Sequence, residues 1–125
     1  MNKDQKEAMS NAYVKTAQVI EAFEQVVSTL RESRAADVKA GKNGALATVA
    51  DGTGCILFIA DTMQHTKDVH GLEVNLDYIR EQFAEVISGL ENEDYPLVAD
   101  VIEYELVPML EEWFDELDAI FGDGE

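Results

Sequence analysis

Residues that a helix can bury recur along the first segment at Met9, Tyr13, Thr16, Ile20, Phe23, Val27 and Leu30, spaced alternately four and three apart. Ala12, Val19 and Val26 widen the stripe. That spacing keeps one helical face continuous and predicts a long helix over about residues 3 to 40. Gly41 would stand just past its end, with Lys39 and Lys42 against the negative pole of the dipole. Residues 41 to 54, GKNGALATVADGTG, hold four glycines and read as a connection with at most a helical turn at ALATVA. CILFIA at 55 to 60 is short enough for a buried strand, but Ile56, Ile59, Ala60 and Met63 keep helical spacing and a lone strand would have no pairing partner. A second helix is expected over about 53 to 69, capped by Asp51 or Thr53.

Beyond Gly71, Leu72, Leu76, Ile79, Phe83, Val86 or Ile87, and Leu90 define a third helix over about 75 to 91. Asp94 as N-cap and Pro96 in the first turn open a fourth, over about 94 to 121. Short polar links between the last three helices make the expected fold all-α: one domain, residues 1 to 125, arranged as an antiparallel four-helix bundle. On a wheel, Ala99, Ile102, Leu106, Met109, Leu110, Trp113, Leu117 and Ile120 form the buried stripe of the fourth helix. Asp100, Glu103, Glu105, Glu111, Glu112, Asp115, Glu116 and Asp118 fill the remaining arc, so helical period alone accounts for most of the acids. Two features are left over. Val101, Tyr104, Val107 and Phe114 project from the acidic side, and Pro108 removes a donor in mid-helix at about 3 kcal/mol, which predicts a kink or break near 104 to 108. A kink either turns those four side chains against another neighbour or leaves them as an apolar patch ringed by acids.

Length and an apolar fraction of 46% suit one domain with a core of its own. The net charge of -17 changes the picture more, because it is unevenly placed. Residues 1 to 70 hold eight Lys and Arg against nine Asp and Glu, whereas residues 71 to 125 hold Arg80 alone against seventeen acids. Such a field repels phosphate backbones and anionic membranes and draws basic partners, so direct nucleic-acid or membrane binding is not expected. The single Cys55 excludes an internal disulfide and fits a reducing compartment. MNKDQKEAMSNAY lacks the apolar core of a signal peptide, and CILFIA is too short to span a bilayer, so a cytoplasmic chain is expected.

Candidate chemistry is sparse. No Glu-x-x-His pair offers a di-iron site; a mononuclear site from Asp61, His65, Asp68 and His70 would need His70, near a helix end, to converge with the others. Cys55, placed in a first helical turn, would gain acidity from the dipole, but His65 lies about 15 Å further along the same helix and provides no base. GTG at 52 to 54 and GKN at 41 to 43 lack the remaining residues of nucleotide loops, and no Asp-x-Asp-x-Asp-Gly run exists for calcium. No cofactor, metal or catalytic residue is assigned.

The stretch LENEDYPLVADVIEYELVPMLEEW, residues 90 to 113, resembles a family of small uncharacterised helical proteins of Gram-positive bacteria. The resemblance implies no activity. It implies that Asp94, Tyr95, Asp100, Glu103, Tyr104, Glu105, Pro108 and Trp113 form one recurring unit.

A non-enzymatic partner-binding protein, such as an adaptor, chaperone or regulator, is therefore the expected function. Val101, Tyr104, Val107 and Phe114 are its anchors, with Glu103, Glu105 and Glu111 as the charged surround for a protein with a basic or apolar surface. The alternative is an acidic nucleic-acid mimic that blocks a DNA-binding protein or nuclease, and a metalloenzyme stands third. A homodimer through the first helix is compatible with its seven-residue stripe.

Overall fold

Asn2 and Gln5 start the first helix by exchanging hydrogen bonds. The Asn2 side chain accepts from the Gln5 amide at 2.8 Å, and the Gln5 side chain accepts from the Asn2 amide at 3.1 Å, which satisfies two otherwise unpaired donors. The computed structural model describes residues 1 to 122, and every regular element among them is helical. The last three residues of the expected domain lie outside the described residues. Helix α1 (Lys3–Glu32) buries Met9, Ala12, Thr16, Val19, Phe23, Val26, Val27 and Leu30, as its period predicts.

It ends short of residue 40. The positions that would prolong the stripe after Leu30 are Arg34 and Asp37, so a straight continuation would add only polar surface. Instead Ser33 and Arg34 take extended backbone, with ψ of 153° and 143°, and a short α2 (Ala35–Lys39) carries Val38 fully into the core. Positive φ angles at Gly41 and Gly44 then turn the chain into α3 (Ala45–His65).

Helix α3 starts well before residue 53. ALATVA forms its first turns rather than part of a connection, and Asp51 and Thr53, expected as caps, lie in its interior. Gly52 explains the misreading. A Cβ built there would fall 2.1 Å from Cε1 of Phe23, which is fully buried, so this glycine marks a close crossing of α1 and α3 rather than a turn. CILFIA is mid-helix, with Ile56, Ile59 and Ala60 buried, which removes the strand alternative. Cys55 is half-buried in the third turn, away from the helix N-terminus on which its expected activation depended.

The expected end of this helix, near residue 69, falls in a separate turn, α4 (Lys67–His70). Here Nε2 of His70 meets the Met63 carbonyl at 2.8 Å and Nδ1 accepts from the Leu72 amide at 2.9 Å. Asn75 caps α5 (Leu76–Glu91) by accepting from the Tyr78 amide at 3.0 Å. Of its two alternative core positions Val86 is buried and Ile87 is exposed. Asp94 caps α6 (Tyr95–Val101) through the Leu97 amide, with Pro96 in the first turn as expected. A π-helical turn (Ile102–Leu106) joins α6 to α7 (Val107–Phe121). Ile120, assigned to the buried stripe, is exposed.

Helix α1 packs against α3 on one side and against α6, the π turn and α7 on the other, and α5 packs on α6. Phe23 meets Gly52, while Gln5 bonds Asp68 beyond the end of α3, so α1 and α3 run in opposite directions. Tyr13 stacks on Phe114 at 5.2 Å, and Arg31 pairs with Asp100 and Glu103, so α1 also opposes the last helix. The buried stripe of α1 is thus covered from within its own chain.

Helix α3, at 21 residues, is long and apolar enough to cross a membrane by length and composition, where CILFIA alone was too short. Its Val49, Ile56, Ile59 and Met63 are nonetheless core residues. The outward face shows Leu57 and Phe58, the latter under the ammonium of Lys15 at 5.6 Å from the ring centre.

Candidate functional site

Pro108 supplies no amide hydrogen, and the kink or break that the sequence predicts near 104 to 108 takes the form of a π-helical turn at Ile102–Leu106. The amide of Val107 reaches back five residues to the carbonyl of Ile102, which widens the turn, and Pro108 then stands in the first turn of α7 where a missing donor is tolerated. The same widening corrects a phase error. Before the turn the buried arc is Tyr95, Val98, Ala99, Val101 and Ile102, and after it Leu106, Val107, Leu110, Trp113 and Leu117. On an unbroken wheel the centre of the second arc is turned from that of the first by roughly 70°, and one extra residue in the turn takes up most of that offset.

The predicted anchors consequently part company. Val101 and Val107 are 6% and 7% exposed and belong to the core, so neither projects as an anchor from the acidic side. Phe114 is half-buried against Tyr13, whose hydroxyl donates to Asp118 at 2.6 Å. Tyr104 alone stays outside, at 63% exposure the barest of the large apolar side chains among the described residues. Glu103 is held by Arg31, Glu105 accepts from the Tyr78 hydroxyl at 2.8 Å, and Glu111 is exposed.

Two concave features divide these residues. The first is a groove between α1 and α7, formed by adjoining hollows of about 430 and 680 Å³ that share Glu24 and Glu111. Ile20, Val27, Val107 and Phe114 line it with apolar surface. Along the rim stand Glu21, Glu24, Glu111 and Asp115, and none of them has a cation partner among the described residues. Arg31 is the one basic residue lining the groove, and it is already paired with Asp100 at 2.9 Å and Glu103 at 2.5 Å. Its hydrogen bonds, first to Glu103 and then to Asp100, raise its pKa further. Sequence reasoning on α7 alone could not find Glu21 and Glu24, since they are on the opposite wall; the signal was their place on the polar flank of the α1 stripe.

The second feature is a cavity of about 320 Å³ between the start of α5 and the outer side of α7. Tyr78, Tyr104, Met109 and Trp113 form its apolar walls, and the carboxylates of Glu73, Glu105 and Glu112 face it. Lys67 pairs with Glu73 and holds its carboxyl below the usual range. Burial, and next the hydrogen bond to Glu105, push the Tyr78 phenol up from 10.0 to about 12. The folded state therefore favours the neutral phenol, and its contribution is complete below pH 10 and is lost as pH rises towards about 12. Tyr78→Phe is expected to remove a tyrosinate absorbance step near pH 12 and to flatten the alkaline fall in stability over that window.

The proposed metal ligands are otherwise engaged. His65 lies against the carbonyl and carboxylate of Asp61, Asp68 accepts from Gln5, and both ring nitrogens of His70 meet backbone. Among the described residues no group of three or more His, Cys, Asp or Glu could hold a metal ion.

Fold and surface together define an all-α protein with an acid-rimmed groove and an aromatic cavity on either side of its last helix. The chain belongs to the family described as a domain of unknown function, DUF8042, which matches residues 7 to 116. Residues 90 to 113, which carry the resemblance, lie inside this match, which takes in most of α1 and all of α3 as well. No curated protein and no solved structure matches the chain.

Proposed function

We propose that this is a non-enzymatic cytoplasmic protein, an antiparallel four-helix bundle of α1, α3, α5 and α6 to α7, that binds a polypeptide partner through the groove between α1 and α7. The partner's segment is basic on one side and apolar on the other, as in an amphipathic helix carrying Lys or Arg. The observation that carries this reading is the unpaired acidic rim over an apolar floor. Four carboxylates without cations raise the encounter rate with a basic segment, and burial of Ile20 and Phe114 beneath it supplies contact area. The opposed directions of α1 against α3 and α7 support the bundle. A nucleic-acid mimic is less well supported, because Asp100 and Glu103 are neutralised by Arg31 and Glu105 is tied to Tyr78, which interrupts the row of free charges that a phosphate backbone would require.

A Lys/Leu amphipathic peptide serves as the probe. Calorimetric titration is expected to show saturable binding that weakens with salt, and Glu24→Lys with Glu111→Lys is expected to weaken it at least tenfold, about 1.4 kcal/mol. The control reverses two exposed charges on α5, Glu81→Lys with Glu85→Lys, and should leave binding nearly unchanged. Equal losses in both double variants would reduce the effect to overall charge and remove the groove from the proposal. Glu103 is left intact, since reversing it would break the contact with Arg31.

A further inference from the structure

We propose that the cavity between α5 and α7 receives an alkylammonium group, a positively charged nitrogen on a short aliphatic body. Its walls and its charge point to the same chemistry. Tyr104 and the partly buried Tyr78 supply aromatic surface of the kind that attracts a cation, Trp113 lies at the base with 3% of its surface exposed, and Met109 adds a polarisable apolar contact for methylenes. Among the described residues no Lys or Arg lines the cavity.

The carboxylates differ in availability. Glu73 is engaged by Lys67. Glu105 is oriented by the Tyr78 hydroxyl, which uses one lone pair and leaves the rest of the carboxylate free. Glu112 is exposed and has no partner among the described residues. Two carboxylates without a third donor suit an organic cation better than a metal ion, which would need more ligands than converge here.

The π turn is what furnishes the rim. Ile102 and Leu106 stay buried at its two ends, while Tyr104 stands outward between them at the mouth of the cavity. A large ring left 63% exposed, lining the same cavity as an unpaired carboxylate, can close over a cationic chain. Glu112 and Glu111, neighbours in sequence, thus face different features: Glu112 the cavity and Glu111 the groove.

Trp113 is the only tryptophan of the chain and lines this cavity, so its emission reports occupancy directly. The folded full-length protein is titrated, at constant ionic strength, with N-acetyl-lysine methylamide, with spermidine and with the uncharged N-acetyl-norleucine methylamide. Saturable change with either cation, and none with the norleucine amide, is expected. Tighter binding of the lysine amide assigns the source to a polypeptide, and tighter binding of spermidine assigns it to a free amine. Glu112→Gln and Tyr104→Ala, both at exposed positions and checked for unchanged thermal midpoint, should each weaken binding about tenfold. Glu24→Lys with Glu111→Lys should leave it unchanged, which separates this cavity from the groove. No saturable response to either cation, an equal response to the norleucine amide, or full affinity in both the Glu112→Gln and Tyr104→Ala proteins would overturn the proposal.

Discussion

Gly52→Ala is expected to destabilise the protein by about 2 kcal/mol, although the same change at an exposed helical position would stabilise it by roughly 0.5 to 1 kcal/mol. The sign is reversed by one contact. The added methyl would sit 2.1 Å from Cε1 and 2.4 Å from Cζ of Phe23, a ring that is fully buried. Either α3 shifts away from α1 or the ring leaves its rotamer, and both disturb the largest helix contact in the molecule. Gly54, in the same helix, has nothing within 4 Å of its would-be Cβ. Gly54→Ala should therefore stabilise by up to about 1 kcal/mol. Thermal or denaturant unfolding of the two variants side by side checks the pair. Phe23→Leu in the Gly52→Ala background should recover part of the loss, giving a coupling energy that the contact predicts. Two glycines that both stabilise when replaced would show that the crossing is looser than the structure has it.

The second large effect concerns the π turn. Deleting Glu111 from the regular part of α7 turns every later residue by about 100°, which withdraws Trp113 and Leu117 from the core, and is expected to abolish cooperative folding. Deleting Tyr104 is expected to be far milder. It removes the one extra residue, lets the turn close to ordinary α geometry and leaves the buried arcs before and after it aligned. The remaining penalty, about 3 kcal/mol or less, comes from Pro108, which then stands in a regular helix, and Pro108→Ala in the shortened chain should recover most of it. Circular dichroism and unfolding of the three variants give the comparison. Equal loss from the Glu111 and Tyr104 deletions would contradict the phase offset.

These two regions are also where sequence and structure diverge most. Elements whose core side repeats evenly were legible. The stripe from Met9 to Leu30, the start of α5 near residue 75 and the Asp94-Pro96 start of α6 all stand where the pattern places them. Glycines 52 and 54 were read as a turn because a sequence does not distinguish a glycine that bends the backbone from one that admits a neighbour's ring. Helix α1 ends earlier than its expected bound near residue 40 because Arg34 and Asp37, the positions that would prolong the stripe, have no apolar side chain to bury.

At the candidate site, the leftover apolar residues of the last helix were a real signal, but of a backbone feature. Val101 and Val107 lay off the stripe because the stripe itself changes phase between them. A wheel drawn with constant rotation cannot represent that change. The acids of α7 could be counted, but which ones are free depends on partners far away in the chain: Arg31 for Asp100 and Glu103, and Tyr78 for Glu105. Spatial pairing across 27 to 72 positions leaves no local trace in a single sequence.

Helix α5 makes its main contacts with α6 and, through Tyr78, a single hydrogen bond with Glu105, while α1 holds the rest together. It buries only Ile79, Val86 and Gly89 fully along sixteen residues. The molecule therefore has a lightly anchored side and a firmly packed one. Local opening of α5 is expected to cost less than global unfolding; it would remove the Tyr78 wall of the aromatic cavity and leave the groove on the other flank of α7 intact, as amide hydrogen exchange would show.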